Sequence, residues 1–347
     1  MLCLKIVPTG IQSCLLQLDR KDSRYFLTTF LNSRYGRFQT WREATGNVQL
    51  NLFIDKIKNL LVPIMSFQKA VAGMTKRAYD KRREAEALHA AAESALNAAL
   101  GLNRINFAPE LFYEDRFSRV AAAGRFDAEY FQPCYTTLLA NLKKCSNVKL
   151  MTVKELCGRL KYGTSEKLPY IEEGAPFLRI ADLQNKRFNL SSVLRIPAEL
   201  AQGISEKVHT GDILVSRSGT LGVAVPIKAE LDGAVYGSYF IKTHPNPEEI
   251  DPEYLCLFIN SKAGQMQVEM LSSGGIQTNL TIDAIESIMV PVGDKQWQMK
   301  FVELVNNFID SRQESRRLLD TAKRAVEIAI EDGEEAARKF LAHLGPE

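Results

Sequence analysis

The chain has 347 residues, with 44 Lys plus Arg against 41 Asp plus Glu, for a formal net charge of +3. Apolar residues make up 46% and charged residues 24%, an ordinary composition for a soluble globular protein that excludes wholesale disorder. The balance of charge excludes a uniformly basic nucleic-acid coat but leaves room for local basic patches. No apolar run reaches the roughly 18 residues of a membrane helix, and at about 150 residues per domain the length suggests two domains.

In chain order, the apolar first residues (1–17) contain Lys5, Pro8, Gly10 and Gln12. They lack a basic leader and read as a strand pair rather than a signal peptide. Residues 66–100 read as one helix. Val71, Met74, Ala78, Ala85, Leu88, Ala92, Ala95 and Ala99 form a coiled-coil seam broken only by Lys81, and Gly101 is its stop. A strand-rich stretch follows, with runs at 176–180, 212–216, 223–227, 234–236 and 239–242. Asp251-Pro252 opens a helix to Asn260, with Asp as cap and Pro in the first turn. Residues 281–286 read as a short capped helix. Residues 295–330 form a second long helix with the stripe Phe301, Leu304, Phe308, Leu318, Ala322, Ala325 and Ala329, in which Ser311 and Ser315 look like weak spots. Each long helix spans roughly 50 Å, and pairing the two stripes with each other is the economical way to bury both. The class is mixed α+β.

The chain also repeats itself. Residues 30–64 and 258–292 align at an offset of 228 without a gap and share 14 of 35 residues, which marks a duplication. Phe30-Leu-Asn-Ser matches Phe258-Ile-Asn-Ser, and Val62-Pro63 matches Val290-Pro291. Each Val-Pro leads into a long helix. The second unit begins near Arg125. Its counterpart in the first would fall about a hundred residues before Met1, so the first globular piece is expected to lack its front.

No P-loop, no Gly-x-Gly-x-x-Gly after a strand, no Asn/Asp-Pro-Pro-Tyr/Phe, no His-Glu-x-x-His and no Gly-x-Ser-x-Gly occurs. The six cysteines form no Cys-x-x-Cys pair and the four histidines are scattered, which gives no zinc site and suits a reducing cytoplasm. Neither a cofactor nor a catalytic site is expected. Binding chemistry remains. Arg159 to Lys167 gathers Lys161, Tyr162, Thr164, Ser165 and Lys167 around Gly163, a mixture that holds phosphates and reaches base edges. The alternative for this segment is a solvated loop. Arg179, Lys186 and Arg187 add positive charge on or beside strands. Arg217, Ser218 and Thr220 lie in the turn Ser216–Gly222, where a guanidinium can address a guanine edge or pair with a nearby acid. The basic helix stretches at 76–83 and 312–324 read first as solvated faces. The shared Gly-x-x-Gln-x-Asn (Gln49 and Asn51; Gln277 and Asn279) reads as a structural turn or cap, because two readers of different sequences would not share reading residues.

The whole arrangement resembles the specificity subunit of type I restriction-modification systems. The residues that carry the resemblance are Phe126-Asp127-Ala-Glu129-Tyr130-Phe131, Tyr162-Gly-Thr-Ser165 and Phe177-Leu-Arg-Ile-Ala-Asp-Leu183. Gly211-Asp-Ile-Leu-Val-Ser-Arg-Ser-Gly-Thr-Leu-Gly222, Pro252 to Ser261, Gly275 to Thr281 and Ile288-Met-Val-Pro291 complete the series. The resemblance implies target-recognition domains that each read half of a split double-stranded DNA site, joined by two long helices packed as an antiparallel coiled coil. It implies no active site. The partners it implies are modification subunits, which carry S-adenosylmethionine and methylate adenine N6, and then restriction subunits; a homodimer stays open, and no membrane is involved. The expected organisation is a remnant recognition domain at 1–64, a helix at 65–101, a linker at 102–124, a complete recognition domain at 125–292, and a helix with tail at 293–347. Two other readings stay open at this point: a recognition module split from a fused methyltransferase-nuclease, and a decayed remnant.

Overall fold

The computed structural model describes residues 4–8, 14–18, 21–46, 50–272 and 279–343. It opens with an antiparallel hairpin, β1 (Leu4–Pro8) and β2 (Cys14–Leu18), where the strand pair is expected. Helices α1 (Lys21–Asn32), α2 (Arg34–Glu43), α3 (Ile54–Ile57) and the long α4 (Gln68–Ala99) follow. Gly101 takes φ +67 just beyond α4, a left-handed stop that suits glycine. Next come α5 (Phe117–Ala123), α6 (Pro133–Lys144), β3 (Lys149–Thr152) and α7 (Val153–Leu156). The strand-rich part holds β4 (Lys161–Tyr162), β5 (Ala175–Leu178), β6 (Leu183–Gln184), β7 (Arg187–Phe188), β8 (Leu194–Ile196), α8 (Ala198–Gly203), β9 (Ile213–Ser216), β10 (Ala224–Pro226), β11 (Val235–Tyr236) and β12 (Phe240–Thr243). It closes with α9 (Pro252–Asn260), α10 (Lys262–Leu271), α11 (Ile282–Glu286) and β13 (Met289–Val292), before α12 (Lys295–Glu331) and α13 (Glu334–His343). The α+β class and the boundaries of both long helices agree with the sequence reading. Among the described residues no helix is long and apolar enough to cross a membrane.

Contacts divide the chain into two compact units, Met1–Leu88 with Asn307–Glu347, and His89–Asn306. In the first unit α4 and α12 run antiparallel. Val71 and Ala72 share a core with Ala322, Ala325 and Val326 and with Phe26 and Phe30 of α1. The seam differs from the expected one at two points. Thr75 is fully buried within it and bonds Thr29 of α1 at 2.6 Å. Ser311 and Ser315 are not weak spots, because both are buried and the Ser315 hydroxyl donates to the Ala78 carbonyl at 2.7 Å. Small residues at Ala78 and Ala85 let the backbones come close enough for that bond. Further along α4, in the second unit, the buried positions are Leu96 and Leu100 rather than Ala95 and Ala99, since a 3.6-residue turn drifts against a strict seven-residue pattern.

The second unit is built on a four-stranded antiparallel sheet in the order β10-β9-β12-β4 and a smaller sheet, β11-β5-β8. Every residue of β9 and β10 is buried, so these strands read as continuous apolar runs rather than alternating ones. Helix α9 lies inside the unit, with Leu255 to Ile259 all buried. Asp251 caps it by accepting from Glu253 N and Tyr254 N.

The sequence repeat is also a structural one. Ser33 caps α2 by accepting from Gly36 N at 3.3 Å, and Ser261 caps α10 by accepting from Gly264 N at 3.3 Å. Each serine hydroxyl also donates 2.6 Å to a phenylalanine carbonyl, Phe30 or Phe258. A side chain on Gly36 or Gly264 would overlap that same carbonyl. Gln39 clasps Leu61 through both N and O (2.8 and 2.9 Å), as Gln267 clasps Met289 (2.8 and 3.0 Å). Of the shared Gly-x-x-Gln-x-Asn pattern, Gln49 and Gln277 lie outside the described residues. Asn51 pairs its backbone with Thr45 in a two-bond bridge.

Candidate nucleic-acid interface

Strand β4 ends at Gly163, where the chain runs against residues 236–238. Thr164 N donates to Tyr236 O at 3.0 Å and Ser238 N donates to Thr164 O at 2.7 Å. Only glycine fits at 163, because a Cβ would overlap the backbone of Gly237. This zipper fixes the loop 164–168 as one wall of a cleft of about 450 Å³. Tyr170, Phe177, Arg179, Ile180 and residues 237–240 form the rest. Ser165 and Lys167 are exposed at the lip, as are Tyr170 and Tyr239. No carboxylate pairs with Lys161 or Lys167 among the described residues.

Arg217 stands beside this cleft at the head of the β9–β10 turn. Its amide donates to Tyr239 O at 2.9 Å, its Nε donates to Leu280 O at 3.3 Å, and its guanidinium lies 4.8 Å from the centre of the Tyr162 ring. The Tyr162 hydroxyl in turn accepts from Ile282 N at 3.3 Å. From beneath, the buried Tyr236 hydroxyl donates to the Tyr162 carbonyl at 3.3 Å, and burial pushes its phenol pKa well up. The stacked pair leaves the Arg217 terminal nitrogens without a protein partner among the described residues. Gly222, at φ +68 and tight against Val268, closes the turn. Ser218 is buried inside the turn and Thr220 is exposed at its tip.

The remaining expected residues are placed differently. Arg179 is held on the fully buried Asp182 by three bonds, from its backbone N (2.9 Å), its Nε (3.1 Å) and its Nη2 (2.7 Å). Bonding to that carboxylate holds the guanidinium pKa up. Lys186 sits in the tight β6–β7 turn, where Asn185 and Lys186 both have positive φ, a hairpin geometry that glycine adopts freely and asparagine tolerates better than most other residues. It bonds Glu93 (3.3 Å) and Asn260 O (3.1 Å). Arg187 donates 2.6 Å to the buried Glu253. The structure therefore places Thr164, Ser165, Lys167 and Arg179 in the walls of the cleft, with Thr164 buried as a turn former, and the Tyr162–Arg217 pair beside it. Lys161 is exposed on β4 outside the lining, Lys186 is held between α4 and α9, and Arg187 is held on α9. Sequence reading passed over Tyr170 and Tyr239, two exposed aromatics on the cleft. The signal for Tyr239 was its place just before β12, where alternation turns Phe240 inward and its neighbour outward.

A family model for the type I restriction modification DNA specificity domain matches residues 146–320. The chain belongs to that family. The cleft and the Arg217 turn lie within the matched span, so the candidate interface is part of a specificity domain. A curated relative, the type I restriction enzyme HindI specificity subunit of Haemophilus influenzae, is 25% identical over 155 residues, which is 43% of this chain and 33% of the relative. The chain thus spans about a third of the length of the curated relative it matches. Among solved structures, the S subunit of a type I restriction-modification system from M. genitalium aligns over 96% of this chain and 76% of its own at 16% identity, with a TM-score of 0.46. The HsdS subunit from Thermoanaerobacter tengcongensis aligns over 94% and 72% at 13% identity, with a TM-score of 0.38.

Proposed function

We infer that residues 125–292 of this specificity-family chain are a target-recognition domain for double-stranded DNA. On this reading the chain is a non-catalytic specificity subunit that directs an adenine-N6 methyltransferase subunit, and restriction subunits with it, to a bipartite site. The observation that carries the reading is the open lip of the cleft. Lys167 and Ser165 are exposed on the cleft wall, Thr220 is exposed at the tip of the adjoining turn, and the Arg217 guanidinium lies over the half-open Tyr162 ring beside them, with Lys161 exposed on the same strand. Lysines and hydroxyls hold phosphates and set the register, whereas a preoriented guanidinium reads a guanine edge bidentately. Arg179, Lys186 and Arg187 act by positioning: their bonds to Asp182, Glu93 and Glu253 keep the walls of the domain in place. The long helices at 65–101 and 293–347 offer the modification subunits their docking region.

The test is co-expression with a modification subunit followed by mapping of N6-methyladenine in host DNA. A gapped methylated motif that changes or vanishes with Arg217→Ala supports the reading; a soluble complex with no methylated motif overturns it. In direct binding, Arg217→Ala is expected to weaken the preferred sequence by about 1–3 kcal/mol and to relax one position. Lys167→Ala is expected to weaken all sequences alike and to lower the salt dependence.

A further inference from the structure

The two copies of the repeat differ in what covers them. In the second copy residues 128–156 do the covering together with Ile105 and Phe107, which line a groove with Ala263 and Met266 of α10. The turn Ala128–Phe131 and α6 pack on α10, β3 pairs with β13, and α7 packs on α11. Met266 of α10 is 7% exposed and Val292 of β13 is 8% exposed as a result. The same positions of the first copy are bare: Phe38 is 47% exposed and Ile64 is 77% exposed, with Trp41 and Leu61 open beside them. No strand pairs with residues 61–64 among the described residues, although Gln39 holds that edge in the same clasp that Gln267 applies to β13. An apolar patch beside an unpaired, preformed strand edge is a binding surface rather than a solvated one.

The charges specify the occupant further. In the second copy Lys154 of the covering segment pairs with Glu286 at 3.2 Å. The residue 228 positions earlier than Glu286 is Lys58, whose exposed ammonium shares a 3.4 Å pair with the open Asp55 carboxylate. Around the bare face Arg34 and Arg37 lie over the rings of Phe38 and Trp41, and cations outnumber carboxylates. Apposing the face with itself in a second copy would bring these cations together. We propose that residues 34–64 dock a helix–strand segment of a separate polypeptide, of the kind that residues 128–156 supply to the second copy, with a carboxylate where Lys154 stands. The strand would pair antiparallel along 61–64, the helix would lie on Phe38 and Trp41, and the carboxylate would meet Lys58.

The probes are two labelled synthetic peptides, residues 128–156 as they stand and the same peptide with Lys154→Glu, each titrated into the full chain. Saturable binding is expected, about threefold tighter for the Lys154→Glu peptide, as an exposed ion pair gives. Phe38→Glu in the chain should weaken both peptides at least tenfold, and Lys58→Glu should reverse their order. Both substitutions sit at exposed positions, and unchanged circular dichroism verifies that the variants fold. Absence of saturable binding by either peptide overturns the proposal, as does binding that ignores Phe38→Glu. A concentration-dependent dimer of the chain alone, dissolved by Phe38→Glu, would make a second copy the occupant and overturn it as well.

Discussion

Residues 30–64 and 258–292 share their sequence pattern, their serine caps and their glutamine clasps, and they differ at the residues that reach outward. In the second copy Asn260 extends to the edge of β10, accepting from Ala224 N at 3.0 Å and donating to Ala224 O at 2.7 Å. Its counterpart Asn32 has no such strand beside it among the described residues and donates back to Thr28 O of its own helix at 2.8 Å. Ile285 is fully buried while Ile57, the same residue type at the same place, is half-buried. Short-range devices such as caps, tight glycines and clasps were copied whole. Burial was not, because it belongs to whatever packs on the outside.

This contrast can be tested with paired substitutions, since the only two tryptophans report separately, Trp41 from the first unit and Trp297 from the second. The largest effect is expected where the copies agree. Gly264→Ala and Gly36→Ala each force a methyl group into a phenylalanine carbonyl and should each lower the stability of their unit by about 3 kcal/mol in urea unfolding. A large loss in one copy alone would show that the serine–glycine cap is not equally tight in both. Next is Ile285→Ala, expected to cost about 3 kcal/mol through a buried cavity, against about 1 kcal/mol for Ile57→Ala. Equal losses would mean that the first copy is covered in solution. Smallest is the clasp. Gln267→Ala removes a buried side chain and leaves the N and O of the half-buried Met289 unpaired and should cost about 2 kcal/mol, whereas water can replace Gln39 and its loss should cost about 1 kcal/mol or less.

What the sequence made legible follows the range of the interactions. The long helices were readable because their stripes recur every three or four residues, and the cap at Asp251 because its proline sits next to it. The duplication exposed the fold of one copy through the other. The seam serines were misjudged because a hydroxyl in an apolar stripe looks like a flaw until the facing Ala78 carbonyl is known. For the candidate interface, the loop at 161–167 and the turn at 216–222 stood out by composition, but the sequence did not show that Arg217 stacks on Tyr162, 55 residues earlier. Nor did it separate committed cations from free ones. The partners of Lys186 and Arg187 are Glu93 and Glu253, acids far along the chain that only the packing of α4 and α9 brings near.

The bond from Ser315 to the Ala78 carbonyl gives the helix pair a phase. A seam of leucines alone would tolerate slippage by a whole heptad at little penalty. In this seam, slipping one way sets the serine against Val71, whose carbonyl already accepts from Thr75. Slipping the other way draws Ser311 away from Glu84. Either misalignment strands a buried hydroxyl, at about 1–3 kcal/mol. The pair of helices in the first unit therefore behaves as a keyed rod, whose axial setting is chosen by two oxygen atoms rather than by the bulk of its apolar contacts.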